Sequence, residues 1–172
     1  MNRFTGLISL MLALSMTFFG CGGGGSSTNF DAVVGLPEGN GAGTALSGIF
    51  TVLLEVTSNG CADDLLLGGP SKGQTITLEV EVEHGGGAIS FEDIETELRG
   101  GVTFDSKFEV GGAAIVDRGG EKNNILQTVR LKGEFQDANS FEGEGDEELF
   151  GRVSNQTVRC SFSFNVSGIR KE

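Results

Sequence analysis

Beyond residue 45 the chain alternates apolar and polar residues with period two over most of its length, as strands with one buried face do. The pattern is clearest where Ile76, Leu78, Val80 and Val82 share one face and Thr75, Thr77, Glu79, Glu81 and Glu83 the other. It recurs in the run Gly48 to Ser58, which ends in the turn Asn59-Gly60 before Cys61, and in Val158 to Arg170, which carries Cys160. Between these lie Ala88 to Leu98, whose parity changes around Glu92-Asp93 and predicts a bulge, and a turn at Arg99-Gly100-Gly101. Val102, Phe104, Phe108 and Val110 then alternate, Gly111-Gly112 predicts another turn, and Ala113 to Asp117 reads as a short strand. Ile125 to Phe135 and Ser140 to Phe150 complete the set, and no stretch has helical periodicity.

This layout predicts an all-β domain of about eight strands joined mainly by short loops, an antiparallel up-and-down barrel. With an even count the last strand returns to lie antiparallel beside the first. If Cys61 and Cys160 are bonded across that pair, Phe50 faces Arg170, Leu54 faces Val166 and Val56 faces Phe164, and both apolar faces point into one core. A bridge closing roughly a hundred residues would stabilise by about 2–5 kcal/mol. A two-sheet β-sandwich built from the same strands is the alternative.

Residues 1–20 have the form of a secretory signal, with Arg3, an apolar run from Leu7 to Phe19 and the small Gly20. The run is shorter than the ~20 residues that span a bilayer. Phe18-Phe19-Gly20-Cys21 resembles a bacterial lipobox, although lipoboxes usually carry Leu where Phe18 stands. The resemblance implies that Cys21 is acylated, for instance with palmitate, and becomes the new N-terminus; an ordinary signal peptide or an uncleaved anchor is the alternative. Gly22 after the cysteine, by the same resemblance, implies the outer membrane of a bacterial envelope. Of the three cysteines this leaves two for a disulfide, which an oxidising compartment permits. Residues 21–47 are Gly- and Ser-rich and read as a tether with a span of roughly 28 Å, so that residues 48–172 form the barrel domain.

The chain carries 12 basic and 24 acidic residues, for a formal net charge of −12. Loss of Arg3 with the signal makes the mature protein more acidic still, so nucleic acid and anionic head groups are poor partners. All 13 aromatic residues are Phe, with no Trp or Tyr. That composition suits burial and removes the side chains on which sugar-binding and protein-recognition surfaces commonly rely.

Gly48-Ile49-Phe50 on the first strand and Arg170 on the last resemble the closing pair of the calycin superfamily, the lipocalin and fatty-acid-binding-type barrels. There a Gly-x-Trp opens the first strand and an Arg from the last packs across the aromatic; here Phe50 takes the place of the Trp. The wider layout, a lipobox, a Gly-Ser tether and one small barrel, resembles bacterial lipoproteins with a lipocalin-like domain. The resemblance implies a cavity for a small hydrophobic ligand and assigns Phe50 and Arg170 to barrel closure; fold alone does not establish a ligand.

The residues point away from catalysis. His84 is the only histidine, at a hairpin tip beside Gly85-Gly86-Gly87, so a His-dependent triad or a multi-His zinc site is excluded by count. No helix follows those glycines to make a phosphate loop. The acidic runs Glu92-Asp93-Glu95-Glu97 and Glu142-Glu144-Asp146-Glu147-Glu148 lack EF-hand spacing, and Glu142 and Glu144 share an outer face. Paired carboxylates without sugar-binding aromatics make a weak glycosidase. We therefore expect no enzyme, no metal and no cofactor. Two functional readings stay open: a membrane-tethered barrel that binds a small apolar molecule, and a barrel filled by its own side chains that acts through its exterior, with protein partners unspecified. Leu65-Leu66-Leu67, three apolar residues in a loop rich in Asp, Gly and Pro, are expected to fold over the barrel mouth as a lid. A short extra strand or an exposed tip is the alternative.

Overall fold

The computed structural model describes residues 36, 39–40, 46–61, 70–92, 97–117, 124–153 and 156–172. The alternation resolves into eight strands: β1 (Gly48–Asn59), β2 (Thr75–Gly85), β3 (Ala88–Glu92), β4 (Glu97–Val102), β5 (Lys107–Asp117), β6 (Asn124–Asp137), β7 (Ser140–Val153) and β8 (Gln156–Arg170). Each pairs antiparallel with the next and β8 returns to β1, closing a barrel rather than a two-sheet sandwich. Closure leaves no strand with an unpaired edge.

The β1–β8 seam sets the register. Phe50 lies opposite Arg170, Leu54 opposite Val166 and Val56 opposite Phe164. A bulge between Val56 and Ser58 then shifts the pairing by one residue. Cys61 and Cys160 meet just beyond it in a disulfide, with Cα atoms 5.0 Å apart. Stepping from partner to partner round the barrel leads from Gly48 to Val82, Phe91 and Leu98. Gly112, which packs against Leu98, continues the path through Val129, Glu147 and Phe162 to Asn59. The path leaves from the first residue of β1 and returns to its last, so the strands are steeply tilted, as a narrow barrel requires.

One end, the arginine end, carries the β2–β3, β4–β5 and β6–β7 turns and the start of β1 beside the end of β8. The other, the disulfide end, carries the remaining connections. Rings fill the lumen towards the arginine end. Phe141 is the hub, with ring centroids 5.5 Å from Phe50, 5.4 Å from Phe91, 5.6 Å from Phe108 and 5.3 Å from Phe135. Tilted and edge-on pairs of this kind add about 0.5–1.5 kcal/mol each beyond simple burial. Inward-facing glycines make room for the rings: a Cβ on Gly168 would lie 2.1 Å from the Phe141 ring, and one on Gly145 2.4 Å from Phe164. Alternating large and absent side chains is how so narrow a lumen is filled without voids.

Several local expectations change. Ala88 to Leu98 is not one bulged strand: Phe91 pairs with Leu98 and Glu92 with Glu97, so the change of parity around Glu92 marks a reversal from β3 into antiparallel β4. Arg99-Gly100-Gly101 is not a turn but the body of β4, and β5 runs straight through Gly111-Gly112. The reason is close approach: a Cβ on Gly100 would sit 1.9 Å from the Glu109 carbonyl oxygen on β5. The chain reverses instead at Thr103 to Ser106, where Ser106 has φ 64° and Phe104, placed by alternation on the inner face, is 72% exposed. Before β1, Leu46, grouped with the tether by composition, is buried in the core. Ser47 accepts a 2.9 Å hydrogen bond from the His84 amide, and Asn40 Oδ1 accepts one of 3.2 Å from the Phe104 amide, so this segment lies across the arginine end.

Candidate functional site

The two ends of the lumen are lined differently. Below the rings, towards the disulfide end, Val52 and Leu54 (β1), Leu78 and Val80 (β2), Leu98 (β4), Val129 and Leu131 (β6) and Phe164 (β8) enclose a cavity of about 60 Å³. Phe91 and Phe141 form its floor. Several inward-pointing side chains here, Ile76, Leu78, Gln127 and Val129, are only half buried, whereas Phe50 and Val82 at the other end are fully covered.

Among the described residues two polar side chains enter this apolar chamber. Glu147 on β7 is 9% exposed and faces inward because it shares parity with Gly145 and Leu149, and its partners Val129 and Phe162 face inward too. Gln127 on β6 donates a 2.9 Å hydrogen bond from Nε2 to Glu147 Oε1. Taking a carboxylate out of water costs several kcal/mol unless hydrogen bonds and charge compensate, so its place in the lumen is a strong departure from the filling used elsewhere. Sequence reading grouped Glu147 with the surrounding acidic run. The signal that singles it out is parity: Glu142, Glu144, Asp146 and Glu148 fall on even positions and Glu147 on the odd, inward set.

The other carboxylates of that run behave as outer-face residues. Glu144 pairs with Lys132 at 2.8 Å and Glu148 with Arg159 at 2.5 Å, across neighbouring strands and in solvent. The hydrogen bond from Lys132 to Glu144 raises the lysine pKa above its ordinary value. A shallow trough of about 990 Å³ crosses this outer surface past Leu53, Lys132, Glu142, Glu144 and Asn165, open to water and flanked by charges. Among the described residues no three His, Cys, Asp or Glu side chains converge to hold a metal.

The residues singled out in the sequence distribute as follows. Arg170 lies over Phe50, its guanidinium carbon 5.4 Å from the ring centroid, within the range of a cation–π contact. A Cβ on Gly48 would come within 3.1 Å of Arg170 Nε, so the glycine leaves space for the guanidinium to cross the end of the lumen. Cys61 and Cys160 are joined and sit in a second apolar cluster with Ile125, Leu149, Val158 and Phe162. His84 lies at the β2–β3 tip, where Nε2 is 2.8 Å from the Gly86 carbonyl oxygen. Residues 1–20, Cys21 and Leu65, Leu66 and Leu67 lie outside the described residues. The nearest described parts of that last connection are anchored: Asn59 Nδ2 donates to the Pro70 carbonyl at 2.7 Å, and the Gly73 amide to the Val56 carbonyl at 2.7 Å.

The geometry defines a small closed antiparallel barrel, ring-filled at one end and holding an apolar chamber with one carboxylate–carboxamide pair at the other. No protein-family model matches the chain, and neither does any curated protein or solved structure.

Proposed function

We propose that this chain is a lipid-anchored protein of a bacterial envelope, acylated at Cys21, whose lipocalin-like barrel binds a small molecule with an apolar body in the chamber beside Gln127 and Glu147. The observation that carries the binding reading is the chamber's lining: apolar side chains from several strands surround a minimal number of polar ones, the composition of small-molecule sites. The anchor rests on the sequence around Cys21 and on an acidic surface, which does not favour electrostatic attachment to anionic lipid. Acyl chains at ~0.8 kcal/mol per buried methylene would hold such a domain durably.

The second reading, a self-filled barrel acting through its exterior, is favoured by one observation. The cavity of about 60 Å³ is smaller than the ~300–1,000 Å³ of typical ligand pockets, so only a short ligand fits without rearrangement. Native mass spectrometry of protein purified from its own envelope separates the two. A stoichiometric small-molecule adduct on an N-terminally acylated chain starting at Cys21 is expected. A bare polypeptide mass beginning elsewhere overturns the anchor, and an acylated chain with no adduct at any concentration supports the filled barrel.

A further inference from the structure

Resting on the lipid-anchor reading above, we infer that the arginine end of the barrel seats on an uncharged phospholipid surface, with Phe104, Ile169 and Ile49 entering the boundary between head groups and acyl chains. Among the exposed large hydrophobic side chains of the described residues, Phe104 and Ile169 stand out furthest, at 72% and 66%, and both lie on this rim. Phe104 sits in the β4–β5 turn. Ile169 is level with the β6–β7 turn: it lies opposite Ser140, and the next amide, of Arg170, donates to the Asn139 carbonyl. Ile49, also exposed, lies diagonally across the seam from Ile169, and its carbonyl accepts from the Lys171 amide.

A single exposed apolar side chain is ordinary on a protein surface. Here three share one level of the barrel and stand on opposite sides of it, because β4 and β5 lie four strands round the ring from β8 and β1. Points so placed define a plane across the end of the lumen rather than a patch on its flank. The Phe104 ring is presented by a braced turn: Thr103 Oγ1 donates to the Lys107 carbonyl at 3.0 Å, the Ser106 amide donates to the Thr103 carbonyl at 3.0 Å, and Ser106 takes φ 64°. Two neighbouring lysines approach a lipid surface with their charge already balanced, Lys107 by Asp105 and Lys171 by Glu79.

The path of the chain selects this end. Leu46 is buried in the core, Ser47 accepts from the His84 amide, and Asn40 accepts from the Phe104 amide. Gly39 packs so closely on Gly87 and Val102 that a Cβ on it would overlap their backbone. The polypeptide that leads back to Cys21 therefore leaves from the arginine end. As the tether read from the sequence, residues 21–35 span roughly 20 Å, which keeps an acylated Cys21 and this rim at one surface. The acidic exterior is repelled by anionic lipid, so the surface it meets is uncharged. The chamber half of the lumen then faces away from the bilayer.

The test places a single Trp reporter in a chain that has none. Phe104→Trp and Ile169→Trp probe the rim, and Phe150→Trp, exposed on β7 towards the disulfide end, is the distant control. All three positions are exposed, so the larger ring asks nothing of the core. Each acylated full-length protein is reconstituted into phosphatidylcholine vesicles with brominated acyl chains, which quench only side chains that reach them, and flotation reports attachment. Phe104→Trp and Ile169→Trp are expected to lose at least about half of their emission relative to unbrominated vesicles, since interfacial groups sit ~5–10 Å into the boundary. Phe150→Trp is expected to keep its emission. Floated protein with no position quenched overturns the seating and leaves the anchor standing. So does quenching at only one of the two rim positions, or quenching at Phe150→Trp as strong as at the rim. A chain that does not float with the vesicles overturns the anchor reading, and the inference falls with it.

Discussion

At the arginine end of the barrel five phenylalanine rings and a guanidinium occupy the lumen from wall to wall, whereas at the disulfide end the same eight strands enclose a cavity, a carboxylate and a covalent cross-link. Rings seated against glycines fit closely and bring no polar atom of their own to satisfy. Where the rings stop, cohesion has to come from elsewhere. The Cys61–Cys160 bridge, with Ile125, Leu149, Val158 and Phe162 around it, supplies it at the seam where the first and last strands meet. The difference teaches that a chamber in so small a barrel is compatible with stability when the filled half is over-packed with aromatic contacts and the open half is stapled.

The largest expected effect sharpens this contrast. Phe141→Ala removes the hub of the ring cluster and should destabilise the whole barrel by about 3–5 kcal/mol in urea unfolding, because Phe141 touches four other rings. The ring is also the floor of the chamber, so the variant should extend the cavity upward. A loss under about 1 kcal/mol would show that the filled end does not dominate stability.

Next in size, opening the bridge with Cys61→Ser and Cys160→Ser together should cost about 2–5 kcal/mol. Its distinguishing signature is spatial. Amide hydrogen exchange should accelerate first at Ile125, Leu149 and Phe162, while Phe50 and Phe141 keep their protection. Uniform acceleration at both ends would erase the distinction between a packed half and a stapled one.

A smaller change is expected at the other end of the same seam. Arg170→Ala removes the cation over Phe50 and should lower stability by about 0.5–2 kcal/mol, with Arg170→Lys recovering part of it because a cation still reaches the ring. Equal stabilities for all three proteins would reduce the contact to bystander geometry.

The smallest effect is a pH dependence on the rim. The hydrogen bond from Lys107, and after it that from Thr103, hold the Asp105 carboxyl down at about 2. The folded value lies below the ~3.9 of an unfolded aspartate. The turn's contribution is therefore present above about pH 4 and disappears as pH falls through about 2. A carboxyl carbon titration should show a midpoint near 2, and Lys107→Ala should move it up towards the ordinary value. A midpoint near 4 in the unaltered chain would mean that the ion pair does not persist in water.

How much could be read in advance differs along the chain for one physical reason. Period-two alternation reports which face a side chain takes, so β1, β2, β6 and β8 and the Phe50–Arg170, Leu54–Val166 and Val56–Phe164 pairs were legible residue by residue. Glycine carries no such information. In β4 and β5 the glycines at 100, 101, 111 and 112 look like turns, and only the approach of the neighbouring strand shows why side chains are missing there. Phe104 misleads in the opposite way, since a large apolar residue at the right parity still lies outside once Ser106 turns the chain.

The sequence by itself determined the all-β class, the β1–β8 seam and the cysteine pairing, because alternation leaves few ways to bury one face of each strand. The count of eight agrees only because two misreadings cancel: one strand is expected where β3 and β4 begin, and two where β5 runs unbroken. Where Leu46 docks, which glycines receive rings and how far the rings extend down the lumen were decided only in three dimensions. The same holds for the meeting of Gln127 and Glu147 at the cavity wall. These properties depend on the tilt that brings positions far apart in the chain to one level of the barrel, and tilt belongs to the closed sheet rather than to any strand within it.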